Sequence, residues 1–253
     1  MHIPELAPEV IFHIGNLPIT NTIINTWLAL IILLVLGILI KQKLAVKPKK
    51  LQNFFEYILE LLLPIFDQVT GDHKKTMRFL PIVGTVFFFI LLSNWLGLLP
   101  GTGSITFDHK MLLRPANTDL NLIVVMTLVS LIASHVFGLL TVGVFTYFNK
   151  FFQIKKFIFS FKKGPIGVFT AIIEVAVGLL EVISEMAKVL SLSFRLFGNI
   201  FAGEVLITVM SSLCAALIPT PFMFLELFVG LIQAGVFAIL TMVYMTVATS
   251  EAH

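Results

Sequence analysis

Residues 180–204 read LEVISEMAKVLSLSFRLFGNIFAGE. The stretch is apolar enough for a membrane helix, yet Arg195 lies deep inside it, with Glu181, Glu185, Lys188, Asn199 and Glu204 around it. An arginine near a bilayer midplane costs at least about 2.5–3.5 kcal/mol, so something other than lipid must meet it. At about 100° per residue, a step of seven returns to within about 20° of the same direction. Glu174, Glu181, Lys188 and Arg195 are separated by such steps and form one ionisable stripe along the rod. Asn199 lies one turn further on, and Glu204 points to roughly the opposite side.

The composition around this stretch settles the class. Of 253 residues, 58% are hydrophobic and 12% charged, against about 25% charged in soluble domains; the mean hydropathy is +1.01. Several apolar runs reach the ~20 residues that cross hydrocarbon. The expected fold is an all-α membrane protein with about five passes plus one interfacial amphipathic helix, ending in a long, strongly tilted helix hairpin. A net charge of +3 concentrated in two loops argues for membrane orientation and against nucleic acid. The lone Cys214 permits no intrachain disulfide, and the six scattered histidines suggest no metal site. No GxxxxGKS pattern is present for holding a nucleotide, and no cofactor is implied.

In chain order, a single membrane domain is expected over residues 1–253. Residues 1–22 make an external tail, and 23–40 the first span. Lys41, Lys43, Lys47, Lys49 and Lys50 then mark a cytoplasmic loop by the positive-inside tendency, which leaves the N-terminus outside. Residues 51–63 place Leu51, Phe54, Phe55, Ile58, Leu59 and Leu62 on one helical face; at this length the helix lies in the interface, and Pro64 ends or bends it. After a polar turn from Asp67 to Lys75, residues 79–99 form the second span and 120–148 the third, capped by Asp119 or Thr118. Lys150, Lys155, Lys156, Lys162 and Lys163 make a second basic loop on the same side as the first. Residues 166–217 would then reach about 78 Å as a helix, over twice the hydrocarbon thickness, so the element is tilted, curved or broken. Pro219 and Pro221 turn the chain into the last helix, 222–249, whose C-terminus is cytoplasmic.

The polar residues inside these spans are the candidate machinery. A guanidinium holds its proton at every working pH, so Arg195 serves either as a fixed cation or as a structural partner of Glu181, Glu185 or a carboxylate elsewhere. A hairpin pivoting at Pro219 and Pro221 brings Glu204 level with Gln233, with Glu226 two turns nearer the outside. Those residues then line an outer wet path or form a bonded packing cluster. Glu174 and Glu181 lie on the inner side of Arg195, either along a second path or in a salt-bridge ladder with Lys188. Weaker candidates are His135, alone on an apolar helix, Glu185, Lys188, and Asp119, which either caps a helix or pairs with Arg114.

SLSFRLFGNIFAGE at 191–204, with SNWLGLLP, RPANTDLN and the ending QAGVFAILTMVYMTVATSEAH, resembles subunit a of the rotary F-type ATP synthases over essentially the whole chain. The resemblance implies a non-catalytic stator of the membrane sector, held by peripheral-stalk b subunits, with its tilted hairpin against a rotating ring of c subunits. It implies that Arg195 is the essential arginine, that Asn199, Glu204, Glu226 and Gln233 belong to an outer half-channel for H+ or Na+, and that Glu181 belongs to an inner one. Some relatives carry histidine at the position of Glu204 or Glu226, where this chain has two glutamates. The implied location is an energy-coupling membrane: a bacterial plasma or inner membrane, or an organelle inner or thylakoid membrane. A stand-alone secondary transporter using Arg195 as an anion site is the alternative.

Overall fold

The computed structural model describes residues 7–45, 48, 50–99, 106–107, 110–144, 147, 165–213 and 219–250. Near the N-terminus, β1 (Val10–Ile14) and β2 (Leu17–Thr20) pair antiparallel in a short ribbon. Gly15, at φ 62°, supplies the left-handed turn residue between them. The ribbon feeds directly into α1 (Asn21–Gln42), whose N-cap Thr20 accepts a hydrogen bond from the Ile23 amide. This end of the molecule is called the ribbon end below.

Helix α2 (Lys50–Thr70) and helix α3 (His73–Leu98) follow. Of the end or bend expected at Pro64, the end does not occur, because Pro64 sits inside α2 on its exposed side. The boundary falls at Gly71, whose φ of 67° ends α2, and at Asp72, whose side chain caps α3 by accepting from the Lys74 amide at 3.0 Å. The expected apolar face of α2 holds and continues past Pro64: Ile58, Leu62, Phe66 and Val69 pack on the core, while Leu51 and Phe54 near the start of the helix are exposed.

Beyond α3 come a two-residue pair of strands, β3 (Thr106–Phe107) and β4 (Lys110–Met111), and a 3-10 turn at Ala116–Thr118. Helix α4 (Leu120–Val142) starts at the N-cap Asp119 and stops where Gly143 turns to φ 88°, short of residue 148. Helix α5 (Pro165–Leu213) is continuous over 49 residues, about 74 Å at 1.5 Å per residue. Helix α6 (Pro219–Thr249) begins three residues earlier than expected, since a proline at the first helical position loses no hydrogen bond. Among the described residues, five helices are long and apolar enough to cross a membrane: α1, α3, α4, residues 176–212 of α5, and α6. With its long helix hairpin at the C-terminus, the chain is an all-helical integral membrane protein.

The core forms where α6 is flanked by α3, α4 and α5. Phe79, Val83, Phe87 and Ile90 of α3 meet Ile123 of α4, Leu192, Leu196 and Ile200 of α5, and Ala234, Phe237, Ala238, Met242 and Met245 of α6. Gly230, Ala234 and Ala238 recur every fourth residue and let α6 approach its neighbours closely; a Cβ at Gly230 would sit 3.1 Å from Cβ of Asn94. Helix α1 packs on α3 and the 3-10 turn, leaving Trp27, Leu30, Ile31, Leu34 and Val35 exposed. An apolar face of this kind is what hydrocarbon solvates.

Candidate functional site

Leu192, Leu196 and Ile200 recur at four-residue spacing on α5 and are buried in the core. Their helical phase turns Ser191, Arg195, Gly198, Asn199 and Ala202 to the other side, where all five are exposed. Ser193 fixes that rotation by donating to the Thr127 hydroxyl of α4 at 3.1 Å. Among the described residues the Arg195 guanidinium has no hydrogen-bond or ion-pair partner, although it acts electrostatically on Tyr244 of α6. Phe194 and Leu190 extend the same uncovered surface. A membrane-length helix thus presents a bare cation and an amide outward.

The ribbon end holds a dense polar network. Arg114 grips Glu204 of α5 through Nε at 3.0 and 3.2 Å to the two carboxylate oxygens and through Nη2 at 3.0 Å. Nη1 donates to the Ala7 carbonyl at 3.2 Å, and Asn25 of α1 donates to the Arg114 carbonyl at 2.8 Å. The backbone around Arg114 is held by Pro115, whose ring lies against Gly97 where any Cβ would collide. Asn117 donates to Asn94 at 2.7 Å, and Asn94 donates to the Gly230 carbonyl of α6 at 3.2 Å. Trp95 reaches the Leu227 carbonyl at 3.2 Å. Asp119 accepts from Thr22 at 3.1 Å and from the Asn121 amide at 3.0 Å, so the carboxylate that closes on Arg114 is Glu204, where sequence spacing had suggested Asp119.

Glu226 also differs from expectation. Its carboxylate lies over Gly203 at the point where a Cβ would stand, one residue from Glu204 and level with it, where Gln233 had been expected. Glu226 is 7% exposed, and its buried Oε1 has no hydrogen-bond partner among the described residues. Gln233 is half-buried on the same helix.

At the opposite end, α4, α5, α6 and Tyr147 enclose a recess with room for about one water, lined by Ser134, His135, Tyr147, Glu185, Lys188 and Tyr244. His135 Nδ1 bonds the Tyr147 hydroxyl, and its Nε2 lies 4.0 Å from Glu185. Lys188 donates to Glu185 at 2.6 Å and stands over the Tyr244 ring at 5.3 Å. Glu181 and Glu185 both act electrostatically on Tyr147. Sequence reading missed Tyr147 and Tyr244; the available signal was that a tyrosine in an apolar segment needs a partner for its hydroxyl. Glu174 lies on α5, with its side chain outside the described residues, as are Cys214 and the second basic loop. Among the described residues no three His, Cys, Asp or Glu side chains gather as a metal site.

The turn between α2 and α3 lies outside the spans. There Asp67 bonds His73 at 2.9 Å, and the nearby Thr76 hydroxyl followed by the His73 ring hold the Asp67 carboxyl below its ordinary value of 3.8.

Residues 23–246 match the family described as ATP synthase A chain. The chain belongs to that family. Relatives include ATP synthase subunit a of Moorella thermoacetica, 34% identical over 240 residues that cover 95% of both chains. ATP synthase subunit a of Syntrophobacter fumaroxidans is 32% identical over 249 residues, covering 98% of this chain and 92% of that one. Family membership and five apolar helices together make this a multi-pass membrane subunit of the ATP synthase type.

Proposed function

We propose that the chain is the membrane stator of a rotary ATP synthase, passing H+ or Na+ through two offset half-channels to and from carboxylates on a ring of c subunits. On this reading it performs no ATP chemistry itself, peripheral-stalk b subunits hold it, and the ribbon end faces outward while the α2 end faces the cytoplasmic side. The observation that carries the reading is the exposed Arg195 on a membrane-length helix, without a hydrogen-bond or ion-pair partner among the described residues. A charge so placed is tolerated only against a partner or water, and a ring of acidic side chains sliding past α5 meets that need.

The physics of such a contact follows. A ring carboxylate facing lipid is desolvated and stays protonated. Within about 4 Å of Arg195, at an effective dielectric near 20, it gains about 4 kcal/mol as an anion, close to a thousandfold shift in its proton equilibrium. Arg195 thereby strips the ring group of its proton and bars direct passage between the two paths. Asn199, Glu204, Glu226 and Gln233 line the outer path. Glu174 and Glu181 serve the inner one, with His135, Glu185 and Lys188 beside it and Asp119 capping α4 at the outer end.

Replacing Arg195 by Ala in the whole complex tests this. The expected result is assembled complex with ATP-driven proton pumping reduced to background; normal pumping would leave only an architectural role. Substrate transport by the purified chain without a ring would favour the transporter alternative instead.

A further inference from the structure

The family reading groups Glu204 and Glu226 together, but their surroundings differ in kind. Both Glu204 oxygens are bonded by Arg114 in a two-pronged pair, with the guanidinium 5% exposed. Arg114 is itself immobilised, through Ala7, through Asn25 and through the Pro115–Gly97 contact. A carboxylate in such a fork–fork pair cannot take up a proton without breaking charge-assisted bonds and leaving a buried cation uncompensated. Glu226 is more buried than Glu204, yet its Oε1 has no hydrogen-bond partner among the described residues, and beneath the carboxylate lies a glycine with no side chain to fix it. The charged groups packed about this contact are Glu204 and Arg114; α3 contributes the neutral Asn94 and Trp95, which bond the Gly230 and Leu227 carbonyls and pin α6.

Resting on the stator reading, we infer that the two glutamates divide the work: Glu204 is a fixed anion locked by Arg114, and Glu226 alone exchanges protons with the outer path. Arg114 is then a positioning residue. Its pair with Glu204 holds α5 against the ribbon end, so that Gly203 presents an open floor to Glu226.

The experiment measures ATP-driven proton pumping and its pH profile in membranes carrying the assembled complex. The double variant Arg114→Gln with Glu204→Gln removes the pair as a unit, a change that is often near neutral for a buried ion pair. In the double variant that assembles, the pH profile of pumping should be unmoved and the rate should stay well above that of Glu226→Gln, whereas Glu204→Gln alone, which strands the cation, should lower the amount of assembled complex. Glu226→Gln should cut pumping by about 100-fold or more, the scale of losing a proton-transfer group. Gly203→Ala puts a methyl where the Glu226 carboxylate rests, without touching the Arg114 pair, and should slow pumping in complex that still assembles. The inference is overturned if the assembled double variant is as inactive as Glu226→Gln, or if Glu226→Gln or Gly203→Ala pumps at the wild-type rate. In each case loss of pumping in Arg195→Ala would leave the stator reading standing.

Discussion

The two polar clusters at the ends of the helix bundle are built on different physical terms. At the ribbon end Asn25, Asn94, Arg114 and Asn117 are almost wholly buried, and their bonds tie together segments from 23 to 136 residues apart in sequence. At the α2 end His135 and Lys188 keep 29% and 25% of their side chains exposed, and the shortest ion pair, Lys188 to Glu185, spans only three residues. A buried network specifies one geometry and punishes the loss of any member, even though Asn25 Oδ1 and Asn117 Oδ1 have no hydrogen-bond partner among the described residues. A half-wet cluster of locally paired groups costs little to rearrange. The first is suited to holding helices in place around one loose carboxylate, the second to exchanging protons and water.

The largest break in that contrast should come from Arg114→Ala. It leaves Glu204 buried opposite nothing, and about 3–5 kcal/mol of stability should go with it. Thermal unfolding of the purified complex in detergent checks this; a midpoint unchanged from wild type would show that the ribbon end is no tighter than the α2 end. Glu185→Gln should do less to stability, about 1 kcal/mol or under, because its partners stay partly solvated. Its effect should fall on pumping rate, and a loss of assembled complex instead would erase the distinction between the ends.

The smallest effect concerns Asp67, at the α2–α3 turn. Its carboxyl titrates lower in the folded protein than in the unfolded chain. The stability it contributes is therefore complete above the ordinary value of 3.8 and is lost as pH falls through the lowered folded value. Hydrogen exchange in the turn should accelerate on acidification below about pH 4, and Asp67→Asn should flatten that dependence. A pH-independent turn in the wild type would remove the Asp67 contribution.

Much of this was legible beforehand, and the failures have identifiable causes. Apolar length revealed the spans, and steps of seven along α5 revealed the polar stripe, because both depend only on local helical geometry. Whether Arg195 faces the core or the outside was already encoded in Leu192, Leu196 and Ile200. What the sequence hid was anything set by a turn. Glu226 met Gly203 and Glu204 because the offset between α5 and α6 depends on the path between them, which no periodicity reports. Arg114 lies five residues from Asp119 yet closes on Glu204, because Pro115 and the 3-10 turn aim it toward α5. Gly71 and Asp72, a glycine and a capping residue side by side, were a better helix boundary than Pro64, since a proline on an exposed side is tolerated within a helix.

The wide separation of Arg114 and Glu204 also has a temporal side. Ninety residues divide them, which at about 5–20 residues per second leaves Arg114 some 5–18 s at the ribosome before its carboxylate exists. During biogenesis the pair can therefore form only after α5 has been made, a late latch that a chain truncated before Glu204 cannot close.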